Sequence, residues 1–283
     1  MTNILEAVYN IVTQKIVSIK THYYAQNRAN SMGEALENYI KDAFAGTLLE
    51  EDAQERMRLY SEQFSWLGNQ NHPPDIMIKG GDAIEVKKTQ KANNSLALNS
   101  SFPKATLQAS SPMITQECRV CEAWEEKDII YCIGHVSSEA LHSLWMLYGT
   151  VYAANHPTYQ RIKDTISGGI RSIPDVEFAE TKELGRVNRV DPLGITNLRI
   201  RGMWQIQNPR KVFDYLHQPT GADFELVVLI PEEKYFTFPK KSRQKLEQLN
   251  EDGFKLTTVQ VPNPNNPAQL IACKQVVFLF SHS

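Results

Sequence analysis

The chain has 283 residues, a formal net charge of −2 and 42% hydrophobic content, a length that suits one large domain or two modest ones and can bury a real core. Near-neutrality excludes a globally basic nucleic-acid binder, so any DNA surface must be local. No stretch approaches the roughly 18 apolar residues of a membrane span, the N-terminus lacks the apolar run of a signal peptide, and four cysteines are too few for a disulfide scaffold; a reducing, cytoplasmic setting is the expectation.

In chain order, residues 3–20 have apolar positions at helical spacing, and 21–33 are polar, ending in Ser31-Met32-Gly33. A second helix is predicted over about 33–45, with Ala35, Leu36, Tyr39, Ile40, Ala43 and Phe44 as its apolar set, and a charged helix over 50–62. The period then changes. DIMI (75–78) and AIEVKK (83–88) read as short strands around Lys79-Gly80-Gly81-Asp82, a hairpin signal. DIIYCIGHV (128–136) is a further strand, and SSEALHSLWMLYG (137–149) reads as a helix after it. ELVVLI (225–230) and KQVVFLF (274–280) complete the predicted strands. The fold class is α/β or α+β, a mixed sheet flanked by helices, with loop-rich stretches near 85–125 and 150–215.

The chemistry concentrates in the hairpin. Pro74-Asp75 lies on one strand and Glu85-Val86-Lys87 on the next. Glu85 and Lys87 are two apart, so they share a face. Paired carboxylates suit Mg²⁺, a hard ion that takes oxygen ligands and leaves room for water and phosphate. Asp75 and Glu85 are therefore the candidate metal ligands, and Lys87 the group that orients water or neutralises the transition state. This set is what phosphodiester hydrolysis needs. It carries a register condition: a two-residue turn would put Asp75 and Glu85 on opposite faces, whereas a three-residue loop, 79–81, pairs 75 with 85 on one face. An odd loop with a glycine in the left-handed region is expected. Glu37, beside Leu36 at the edge of an apolar stripe, is costly to place there without a partner and is the fourth candidate catalytic residue. Glu34 is the competitor, but in the first helical turn it simply complements the helix dipole.

These residues, with the order helix G-x-x-x-E, then P-D, then E-x-K, resemble the type II restriction endonucleases of the PD-(D/E)xK superfamily, and more narrowly the NgoPII-type enzymes. The resembling stretches are NRANSMGEALENYIKDAF (27–44), PPDIMIKGGDAIEVKK (73–88), ALNSSFPKA (97–105), CRVCEAWEEKDIIY (118–131) and GRVNRVDPLGITNLRIRGMW (185–204). The resemblance implies one restriction-endonuclease-like domain over 1–283, with a catalytic core at about 27–150 and a DNA-reading region at about 90–125 and 150–215. It also implies Mg²⁺-dependent cleavage of double-stranded DNA at GGCC.

Between Gly185 and Lys211, six basic residues stand against a single acid, Asp191. Arg186, Arg189, Arg199 and Arg201 are the candidate DNA contacts, since arginine pairs bidentately with guanine in the major groove. Asn99, Ser100, Ser101 and Lys104 offer further contacts to phosphates or base edges. Cys118-x₂-Cys121 and Cys132-x₂-His135 have zinc-like spacing, yet Cys132 and His135 lie three apart on a strand and face opposite sides. Cys132 reads more simply as a buried small hydrophobe. A palindromic site calls for two-fold symmetry and hence a homodimer. The competing readings are a repair or structure-specific nuclease on the same core, and a DNA-binding protein that has lost catalysis.

Overall fold

A computed structural model describes residues 1–24, 28–29, 31–69, 72–98, 101–181 and 183–281. The N-terminal layer is helical. α1 (Ile4–Gln14) is capped by Asn3, whose side chain accepts from the Leu5 and Glu6 amides, and stops where Lys15 turns left-handed at φ 53°. The single helix expected over 3–20 is thus two, α1 and α2 (Ile19–Tyr24). α3 (Met32–Ala45) is capped by Ser31 and closed by Gly46. It buries Ala35, Leu36, Tyr39, Ile40, Ala43 and Phe44, the apolar set that helical spacing selects. α4 (Ala53–Gln63) follows.

The strands come next: β1 (Phe64–Asn69), β2 (His72–Ile78), β3 (Ala83–Thr89), β4 (Leu96–Ala97) and β5 (Thr106–Gln108). After the short α5 (Gln116–Val120) come β6 (Glu126–Ser137) and β7 (Ala140–Tyr148). A peripheral lobe then holds α6 (His156–Arg171), β8 (Glu177–Phe178), β9 (Gly185–Asn188) and β10 (Leu198–Ile200). The chain returns through β11 (Gln205–Ile206) and α7 (Pro209–Val212) to β12 (Phe224–Pro231), α8 (Glu232–Thr237) and α9 (Lys240–Glu247). It ends in a long hairpin, β13 (Phe254–Asn263) and β14 (Asn266–Phe280).

The main sheet runs β1-β2-β3-β6-β7-β12-β14-β13, with β5 also paired to β6. β3–β6 and β7–β12 are parallel and the other pairs antiparallel, so the sheet is mixed, as expected. α3 packs on β3 and β6, with Leu36 seated over Gly134.

The segment expected to be a helix after residue 136 is instead β7. Ser138 and Glu139 have φ of 46° and 75° and turn the chain back, pairing Ser137 with Ala140 and then β7 along β6. β7 is central and covered on both faces, so its sequence is a near-continuous apolar run without the alternation of a half-exposed strand. Its Ala, Leu and Met favour helix only weakly, and pairing to β6 and β12 overrides them. β13 and the first half of β14 also escape the sequence reading, although FKLTTVQV alternates as an edge strand does.

Candidate active site

The site rests on the β2–β3 hairpin. Ile76 pairs with Ile84 and Met77 with Ala83, which makes 79–81 a three-residue loop, with Gly80 left-handed at φ 59°. Ile78 N–H donates to Asp82 O at 2.9 Å and Gly81 N–H to Ile78 O at 3.0 Å. The odd loop required for a shared face is therefore present. It is clamped from outside: Lys127 Nζ donates to Gly81 O at 2.6 Å, and Gly80 N–H to Glu122 Oε2 at 2.8 Å. Behind it, buried Asp82 accepts from Tyr148 Oη at 2.7 Å and Lys234 Nζ at 2.6 Å. A one-residue slip would break all of these bonds together, so the register is strongly specified.

Beyond Ile76 the ladder opens and Asp75 takes its place. Its Oδ2 accepts the Val86 amide at 2.7 Å, where a strand neighbour's carbonyl would otherwise sit. Glu85 and Lys87 project from β3, with Lys87 Nζ 2.5 Å from Glu85 Oε1. Lys88, the next residue, is exposed on the opposite side. Burial, and then the negative charge of Glu85, push the Asp75 carboxyl up to about 7. Burial opposes the charge on Lys87, but Glu85 and Asp75 outweigh it and hold the ammonium above its ordinary range. Glu37 of α3 is half-buried, 3.9 Å from Lys41, and its charge is felt at both Asp75 and Lys87. Glu34 lies exposed in the first turn of α3. The structure thus brings Asp75, Glu85, Lys87 and Glu37 to one place.

Crowded carboxylates beside one ammonium form an oxygen-only donor set with negative charge to spare, and this fits a hard divalent cation. Among the described residues no group of three or more metal-capable side chains occurs. A metal here would rest on Asp75 and Glu85 alone and complete its shell with water and phosphate oxygens, the usual arrangement for Mg²⁺. The zinc reading finds no geometry: Cys118 Sγ lies 3.4 Å from Met77 Sδ, and Cys132 is buried in the middle of β6.

The four predicted arginines occupy the peripheral lobe. Arg186 on β9 and Arg199 on β10 are direct cross-strand partners. Arg199 and Arg201 do reach the same way, but both grip Glu183, Arg199 at 2.8 Å and Arg201 at 2.5 Å. Arg189 lies 3.8 Å from Glu177. The basic count over 185–211 missed these acids because they sit just upstream and fold back. Asn99 and Ser100 lie outside the described residues. Ser101 and Lys104 are not in the lobe but near the hairpin: Lys104 is close enough to Glu85 and Lys87 for their charges to act on it. Sequence spacing carries no sign of that placement.

A mixed α+β sheet that carries this hairpin towards one edge, flanked by helices, is consistent with the core of a nuclease. The chain belongs to the NgoPII restriction endonuclease family, whose model matches residues 2–262. It is 43% identical over 278 residues to the type II restriction enzyme NgoPII of Neisseria gonorrhoeae, covering 98% of this chain and 99% of that protein. No solved structure matches. The protein is a type II site-specific deoxyribonuclease acting on double-stranded DNA, in a class that is generally metal-dependent. No helix among the described residues is long and apolar enough to cross a membrane.

Proposed function

We propose that the protein cuts double-stranded DNA at the palindrome GGCC with Mg²⁺, in the cytoplasm, as a homodimer, through Asp75, Glu85 and Lys87 supported by Glu37. The observation that carries the site is the hairpin register, which sets Asp75 beside Glu85 and Lys87. The specificity rests on the family resemblance. When bound, the ion supplies Lewis acidity at the phosphate and a more acidic water. Asp75 and Glu85 would hold it. Lys87, paired with Glu85 in the structure, would orient the attacking water or meet charge on the phosphate. Glu37 adds negative charge that favours the cation and keeps Lys87 protonated.

The whole chain acts as one domain, its catalytic core at about 27–150 and its DNA-reading region at about 90–125 and 150–215. Arg186, Arg189, Arg199, Arg201, Ser101 and Lys104 contact the DNA, with Asn99 and Ser100 beside them in sequence. A two-fold site is matched by two copies, and the exposed apolar face of α6 supplies surface for the second: Ile162, Ile166 and the following Ile173 are 40%, 45% and 47% exposed. The test is a plasmid digest with and without Mg²⁺. Discrete fragments whose ends map to GGCC are expected, with none in excess EDTA. Fragments mapping to another sequence would overturn the specificity, and cutting in EDTA would overturn the metal reading.

A further inference from the structure

The segment that holds Lys104 is pinned to β6 more tightly than a loop requires. Tyr131 on β6 pairs in register with Glu85 on β3, so the two side chains share a face. From there the tyrosine grips Lys104 at both ends of its main chain, accepting from its N–H at 2.8 Å and donating to its carbonyl at 3.2 Å. Close approach on the other side depends on Gly149, where a Cβ would stand 2.4 Å from the carbonyls of Lys104 and Ala105. Neighbouring Phe102 is wedged against His156, Tyr159 and Trp204, with ring centroids 5.1, 5.6 and 5.9 Å apart. A cavity of ≈ 350 Å³ opens beside this segment, lined by Lys104, His156 and Lys163 among others.

Lys104 differs from Lys87 in one respect. Lys87 is matched by Glu85, whereas the Lys104 ammonium donates to the Ser101 hydroxyl and among the described residues joins no ion pair. A half-buried ammonium that feels the charges of Glu85 and Lys87 but is held in no ion pair keeps donors free for an anion. We propose that Lys104 is a second cation of the catalytic cleft that binds the scissile phosphodiester, with Tyr131 as its positioning residue. This rests on the assignment of the cleft to Asp75, Glu85 and Lys87. It separates Lys104 from the arginines of the lobe, which contact DNA away from the bond that is cut.

The test is a cycle between the side chain and one phosphate. Lys104→Met keeps the aliphatic stem and removes the charge. A methylphosphonate at the phosphate found to be cut removes the charge on the DNA. Binding is measured without metal. Lys104→Met should weaken binding to native DNA about tenfold and leave binding to the methylphosphonate duplex unchanged. Equal losses on both duplexes would overturn the inference. Single-turnover cleavage with saturating Mg²⁺ should fall roughly a hundredfold in Lys104→Met, recover partly in Lys104→Arg, and keep its Mg²⁺ midpoint. Tyr131→Phe should lower the same rate with unchanged Mg²⁺ dependence. If Lys104→Met does not fold, Lys104→Gln enters the same cycle. Asp75→Ala distinguishes the two levels: if it remains active, the site assignment itself fails; if it is dead while Lys104→Met cuts normally, only the role of Lys104 is lost.

Discussion

The sheet around the hairpin and the lobe from α6 to β10 are built on opposite plans. In the sheet, β6, β7 and β12 are buried almost throughout, and polar groups such as Asp82, Lys127 and Tyr148 are tied by hydrogen bonds. In the lobe, α6 has no buried residue, and Leu193 and Ile195 are 81% and 76% exposed. The lobe is joined to the core by short β4–β11 pairing and the cluster of Phe102, Tyr159 and Trp204. Catalysis needs atoms held to within a fraction of an ångström, which a doubly covered sheet provides. Recognition needs surface left open until DNA or a second copy covers it.

The widest separation between the two regions should appear at the carboxylates. Asp75→Ala or Glu85→Ala should lower cleavage at least about a thousandfold, while specific DNA binding in a gel shift stays intact, because affinity comes from contacts elsewhere. Loss of binding in parallel with cleavage would erase the distinction. Next in size, Lys87→Ala should lower cleavage by roughly a hundredfold or more, and Lys88→Ala, on the exposed opposite side of β3, by less than about threefold. Equal losses would contradict the strand geometry.

A titration sharpens the same contrast. With its carboxyl raised from 3.8 to about 7, folded Asp75 holds a proton that the unfolded chain gives up. Metal-free stability should therefore rise as pH falls from about 7 towards 4. Asp75→Asn should be the more stable protein at pH 8, by on the order of 1–3 kcal/mol, and should lose that advantage below about pH 4. Denaturant melts at the two pH values measure it, and a constant difference would refute the shift. Cleavage at low Mg²⁺ should weaken below pH 7 and recover when more Mg²⁺ is added, since ion and proton compete for the same oxygens.

In the lobe, effects should be smaller and of another kind. Ile162→Ser with Ile166→Ser should leave the melting temperature nearly unchanged, because neither side chain is buried, but should shift sedimentation of the proposed dimer to monomer; sedimentation unchanged from the parent protein would remove α6 from that interface. The smallest effect belongs to Glu183→Gln. Freeing Arg199 and Arg201 from their shared carboxylate should tighten DNA binding roughly severalfold at low salt, with a steeper salt dependence. No change would mean that these arginines stay off the DNA.

What the sequence determined by itself is local. The apolar spacing of 35–44 set the buried face of α3, the Gly80-Gly81 turn between short apolar strands set the hairpin, and the spacing of Glu85 and Lys87 put both on one face. Each follows from a fixed backbone period or a turn geometry. Tertiary structure decided whatever depends on partners distant in sequence. LHSLWMLY became a central strand because β6 and β12 were there to pair with it. Arg199 and Arg201 found an acid outside the window in which charge was counted. The Lys104 main chain came to the strand pair that carries Glu85 through the hydroxyl of Tyr131, which lies 27 residues further along the chain. A period reports which way a side chain points relative to its own neighbours. Which other segment it meets is settled only when the chain closes its long loops, because that choice depends on the burial and pairing of the whole sheet at once.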